Sequence, residues 1–84
     1  MHNSAFWIPA LEWREAVNGL EEILGPDIIS ILKEELAEAS ITLDNPKAAY
    51  SVYDVEAAIT AAFGSSSRVI MNFLGKKISQ QMLL

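Results

Sequence analysis

Residues 24–27 read Leu-Gly-Pro-Asp, and this tetrapeptide narrows the choice of folds more than any other stretch. Glycine takes the positive-φ conformation that ends a helix. Proline suits the first turn of the next helix, where its missing N–H has no partner to lose. Asp27 adds negative charge beside that new N-terminus, which the helix dipole favours. One helix therefore stops and another starts almost at once, and a joint that short makes an αα-hairpin or a sharp corner.

The flanks agree with this reading. The stretch "PALEWREAVNGLEEIL" puts Trp13, Val17, Leu20 and Leu24 on one helical face, with Glu12, Arg14, Glu15, Glu21 and Glu22 largely off it. Pro9 suits the start of this helix. Gly19 is its weak point, costing about 1 kcal/mol relative to alanine, and permits close contact with a neighbour. Beyond the corner, Ile28 or Ile29, Leu32, Leu36 and Ala39 form a buried stripe, and Lys33, Glu34, Glu35 and Glu38 form the wet face.

"SITLDNPKAAY" then breaks the pattern. Ile41 and Leu43 alternate with Thr42 and Asp44 as in a short extended piece, and Asn45-Pro46 suits the start of a single helical turn through Ala49. No sheet is expected within the chain, since one short strand has no evident partner there; pairing in a dimer is the alternative. Ser51 and Asp54 match a capping box with aspartate in place of glutamate. The helix they open turns Val55, Ile59, Ala62 and Phe63 inward. Gly64 ends it, and one of Ser65, Ser66 and Ser67 is expected to cap the last helix. That helix carries Val69, Ile70, Phe73, Leu74 and Ile78, with Gly75 interrupting it and Lys76 and Lys77 in its C-terminal half. The expected architecture is an all-α single domain over 1–84: a small bundle of four main helices at about 9–24, 26–39, 52–63 and 66–82, with an extended 40–50 linker.

Length and composition sharpen this. A chain of 84 residues makes one domain. At that size only about 60–65% of the unfolded surface is buried, so further burial against a partner is valuable. The chain is 51% hydrophobic, high for so small a domain. It has no cysteine, which removes disulfides and thiol metal sites and suits a reducing cytoplasm. Eleven carboxylates against six Lys and Arg give a net charge of −5, which opposes binding to nucleic-acid phosphates. A small DNA-binding regulator with a helix–turn–helix core is thereby disfavoured. No stretch reaches the roughly 20 apolar residues of a membrane span. The apolar start lacks a basic n-region and a clear cleavage site, so it reads as part of the mature fold.

Reactive chemistry is sparse. His2 is the single histidine and sits in a terminus expected to fray, a poor place for a general base. Glu34 and Glu38 are i,i+4 neighbours, but the Glu-x-x-His motifs of di-metal bundles are absent, so they read as a solvated face. No catalytic residue, metal or cofactor is expected. "GSSSR" is the sharpest candidate: a glycine, a helix N-terminus and Arg68 together suit an oxyanion. It lacks the P-loop lysine and follows a helix rather than a strand. Capping accounts for its serines, and anion binding at Ser65, Ser66, Ser67 and Arg68 is the alternative. The aromatic and terminal residues suggest a contact surface. Phe6, Trp7 and Ile8 cannot all face inward from an extended segment, so they form either a cover over the bundle or an exposed patch. Tyr50 and Tyr53 flank the third helix, and Met82, Leu83 and Leu84 close the chain.

Four segments, "LEEILG" (20–25), "IISILKEEL" (28–36), "ITLDNP" (41–46) and "AAFGSSSRVIMNFL" (61–74), resemble a small archaeal signalling output domain of the NitrOD type, over about residues 11–80. In that family a first helix similarly ends on Leu-Gly, a second runs into an Ile-x-Leu-Asp stretch, and a third closes in Phe-Gly before a final amphipathic helix. The aromatic N-terminus and the serine triplet depart from the pattern. The resemblance implies an all-helical signalling or interaction domain and brings no catalytic residues. The expected function is a non-catalytic, cytoplasmic protein–protein interaction or output module, as a homodimer or with a protein partner, without nucleic acid or membrane. The alternative is a small-anion or phosphate-ligand domain using the helix start at 64–68.

Overall fold

The structure, a computed structural model, describes residues 7–82. In chain order it contains strand β1 (Trp7–Pro9), helices α1 (Ala10–Gly19), α2 (Glu21–Leu24) and α3 (Pro26–Glu38), strand β2 (Ala49–Ser51), helix α4 (Val52–Phe63), a 3₁₀ turn (Gly64–Ser66) and helix α5 (Ser67–Met82). The fold is mostly helical but not all-α.

The sheet is the first departure from expectation. β1 and β2 pair antiparallel, with Trp7 opposite Ser51, Ile8 opposite Tyr50 and Pro9 opposite Ala49. The Ala10 N–H extends the pairing by donating to the Ala48 carbonyl at 2.9 Å. The linker thus finds its partner in the apolar residues ahead of α1. Each strand runs directly into a helix, and because the pairing is antiparallel α1 and α4 leave from opposite ends of the ladder. The turn at Asn45-Pro46 leads into β2 and does not become a helical turn. There the Asn45 side chain accepts from the Lys47 N–H at 2.9 Å.

The second departure is at Gly19. The helix expected over 9–24 is divided into α1 and the single turn α2. The Leu20 N–H reaches the Val17 carbonyl, three residues back, at 3.1 Å. That tighter bond changes the helical pitch at the residue with the weakest helix preference. The alkyl stem of Lys77 lies against Gly19, where a Cβ would stand 3.3 Å from its Cδ.

The corner at 24–27 forms as expected. Gly25 has φ 89°, its N–H donates to the Glu21 carbonyl at 2.8 Å, and Pro26 opens α3. At the far end of α3 the chain turns through Ser40 at φ 66°. The Ser40 N–H donates to Ala37 and the Ile41 N–H to Leu36, at 3.0 and 2.9 Å. This is the Schellman arrangement with serine in the place usually held by glycine. It ends the helix at Glu38 and leaves Ala39 exposed.

The core gathers one stripe from each long helix. Trp13, Val17 and Leu20 meet Ile29, Leu32 and Leu36, then Val55 and Ile59, and finally Ile70, Leu74 and Ile78, with Ile8 and Ile41 closing the ends. α5 packs against both α1 and α4, and α3 packs against α4. Ala62, expected inside, is exposed, and Ala58 takes its place. Ala62 lies on the same face, one turn beyond Ile59, but in the last turn of α4, where its side chain is left uncovered. No buried side-chain nitrogen or oxygen among the described residues lacks a hydrogen-bond partner.

Candidate functional site

The joint between α4 and α5 combines Gly64, three serines and Arg68. Gly64 has φ 61°, ends α4, and donates its N–H to the Thr60 carbonyl. The chain does not then make a loop. It tightens into the 3₁₀ turn and passes straight into α5. Ser67 therefore stands inside the first turn of α5, buried, and its Oγ lies 3.1 Å from Thr60 Oγ1. The hydroxyl ties α5 back to α4, where a capping role had been expected of one of the serines. Ser65, Ser66 and Arg68 are exposed, and Arg68 has no ion-pair partner among the described residues.

A hollow of about 660 Å³ lies beside this joint, lined by Ser65, Ser67 and Arg68 and also by Glu56 and Thr60. The Glu56 carboxylate opposes the attraction that Arg68 would have for an anion there.

A second hollow, of about 340 Å³, opens on the other side of the joint. Leu24, Ile28, Phe63, Ser66, Val69 and Ile70 line it, so it is almost entirely apolar. It sits where the α2–α3 corner meets the α4–α5 joint. Val69, expected in the buried stripe of α5, is 53% exposed on its edge. The sequence offers two adjacent apolar diagonals on α5, Val69 with Phe73 and Ile70 with Leu74 and Ile78. Adjacent residues lie about 100° apart around a helix, so only one diagonal faces the core fully. Ile70, Leu74 and Ile78 take that position, and Val69 and Phe73 fall to its margin. The same choice on α3 buries Ile29 and exposes Ile28. Ile31, one turn after Ile28, is 44% exposed, and Ile23 on α2 is 52% exposed. The hollow that Ile28 and Val69 share is the site that sequence reasoning missed.

The aromatic candidates are dispersed. Ile8 is in the core, and Tyr50 is half-buried, its hydroxyl accepting the Thr42 N–H at 2.8 Å. Trp7 and Tyr53 are exposed. His2, Phe6, Leu83, Leu84 and the side chain of Met82 lie outside the described residues. Glu34 and Glu38 are exposed on α3. Among the described residues no cluster of His, Asp or Glu could hold a metal ion, and no helix is long and apolar enough to cross a membrane. No protein-family model, curated protein or solved structure matches the chain.

Proposed function

We propose that the chain is a non-catalytic, cytoplasmic protein–protein interaction or output module of the NitrOD type, working in signalling or regulation as a homodimer. One observation carries this reading: Ile23, Ile28, Ile31 and Val69 are uncovered aliphatic side chains, and two of them line one apolar hollow. Single exposed hydrophobic residues are ordinary on a protein surface, whereas Ile28 and Val69 share a hollow with Leu24, Phe63 and Ile70, and a joined apolar surface of that kind suits a contact. In a domain this small, burying that group against another chain adds substantially to a limited core. Sedimentation velocity or light scattering at micromolar to millimolar concentration tests it. The expected mass is about twice the 9.2 kDa of one chain. A monomer throughout that range would overturn the homodimer.

A further inference from the structure

A third hollow, of about 200 Å³, lies where α1 and α3 meet the segment 41–44. Arg14 of α1, Lys33 of α3 and Asp44 line it, and Ala37, Ile41 and Leu43 supply its apolar wall. It shares no lining residue with the two hollows at the α4–α5 joint. Three contacts fix its walls. The Ile41 N–H donates to the Leu36 carbonyl at 2.9 Å, the Thr42 N–H to the Tyr50 hydroxyl at 2.8 Å, and Arg14 Nη1 to Asp44 Oδ1 at 3.1 Å. A hollow whose walls are already held loses little entropy on filling.

The charges that line this hollow favour an anion. Two of the chain's six Lys and Arg are there, against one carboxylate. That carboxylate, Asp44, is already paired with Nη1 of Arg14. The guanidinium has further N–H donors beyond that one. Lys33 is exposed and has no ion-pair partner among the described residues. We propose that the hollow binds a small monocarboxylate with a short, branched apolar tail. Its carboxylate sits between the Lys33 ammonium and the free edge of the Arg14 guanidinium, and its tail lies on Ala37, Ile41 and Leu43. At about 30 Å³ for each water-sized group, the volume takes about seven non-hydrogen atoms, the size of a five-carbon acid. Phosphate fits less well, because it has no tail for the apolar wall and its second charge meets Asp44. For so small a ligand at an open rim, the expected Kd is about 0.1–10 mM. The site does not depend on the homodimer.

Amide chemical shifts of the full chain, titrated with isovalerate at constant ionic strength, test this. The resonances of Arg14, Lys33 and residues 41–44 should move saturably, and those of 64–68 should not. Two probes divide the ligand: 3-methylbutan-1-ol keeps the tail without the charge, and acetate keeps the charge with almost no tail. Each should bind about tenfold more weakly than isovalerate. Lys33→Gln changes an exposed, unpaired side chain, so the melting temperature should stay near wild type while isovalerate binds about tenfold more weakly. Asp44→Asn keeps the shape and an acceptor for Arg14 but removes the negative charge, so binding should strengthen about two- to fivefold. A merely structural role for Asp44 predicts no gain. Lys76→Gln, on α5 and outside the hollow, should change nothing. Equal binding of the alcohol, or isovalerate binding that survives Lys33→Gln, would overturn the site. So would the absence of any saturable shift up to about 50 mM isovalerate, which would leave the homodimer untouched.

Discussion

Trp13 on α1 donates its indole N–H to the main-chain carbonyl of Tyr50 on β2, at 3.0 Å. The same indole is 2% exposed in the core, so one side chain both fills the centre and fastens the sheet to it. Trp13→Phe keeps most of the apolar volume but removes the donor. It is expected to cost about 1–3 kcal/mol, from the loss of a part-buried hydrogen bond plus a small void. Urea unfolding should show a lower midpoint with an unchanged slope.

The two tryptophans make a second test possible. Trp7 is 56% exposed and Trp13 is buried. In the Trp7→Phe variant the remaining fluorescence should be blue-shifted and poorly quenched by acrylamide. In Trp13→Phe it should be red-shifted and readily quenched. The opposite assignment would contradict the placement of α1 against the sheet.

Ser51 is the N-cap of α4, its Oγ accepting the Asp54 N–H at 3.0 Å. Ser51→Ala should cost about 1 kcal/mol. For a domain of this length that is a fall of about 4–8 °C in melting temperature.

Ser40 holds a left-handed conformation at the end of α3. Glycine has no Cβ to strain there, so Ser40→Gly should stabilise by up to about 1 kcal/mol. Ser40→Val should destabilise by about 1–2 kcal/mol. Calorimetry of the pair reads both signs.

Gly25 and Gly75 should respond in opposite directions to alanine. A Cβ at either position has no neighbour within 4 Å, so sterics from other residues do not distinguish them. Gly25 has φ 89°, which an L-residue rarely adopts, and Gly25→Ala should cost about 1–3 kcal/mol. Gly75 lies within α5, where Gly75→Ala should add about 0.5–1 kcal/mol. Loss of stability at both sites would contradict the helical setting of Gly75.

The corner at 24–27 was legible because glycine and proline act locally: their preferences do not depend on what packs around them. The Ser51 cap was legible for the same reason. The sheet was not, since three residues are too few to show an alternating pattern and the partners are about forty positions apart. The Schellman turn carried no signal, because serine stands where glycine normally announces it. The stripes on α3 and α5 were legible only to within one residue. Ile28 with Ile29, and Val69 with Ile70, offer neighbouring apolar diagonals, and the packing of other helices decides between them. The apolar hollow was therefore hidden in the sequence. Arg68 stood out as the cation that capping left unexplained, but that it shares a hollow with Glu56 depends on how α5 packs on α4.

Near the other end of the chain, Gln81 donates its side-chain N–H to Glu12, to the carboxylate at 2.7 Å and the main-chain carbonyl at 3.2 Å. The first long helix is thus held by a residue synthesised 69 positions later. At typical synthesis rates the 69 positions between them take about 3–14 s to add. An isolated helix of this length is marginal in water, so α1 cannot settle while it waits. Its apolar face should stay open to chaperones for that interval, and α1 should dock only once α5 has been made.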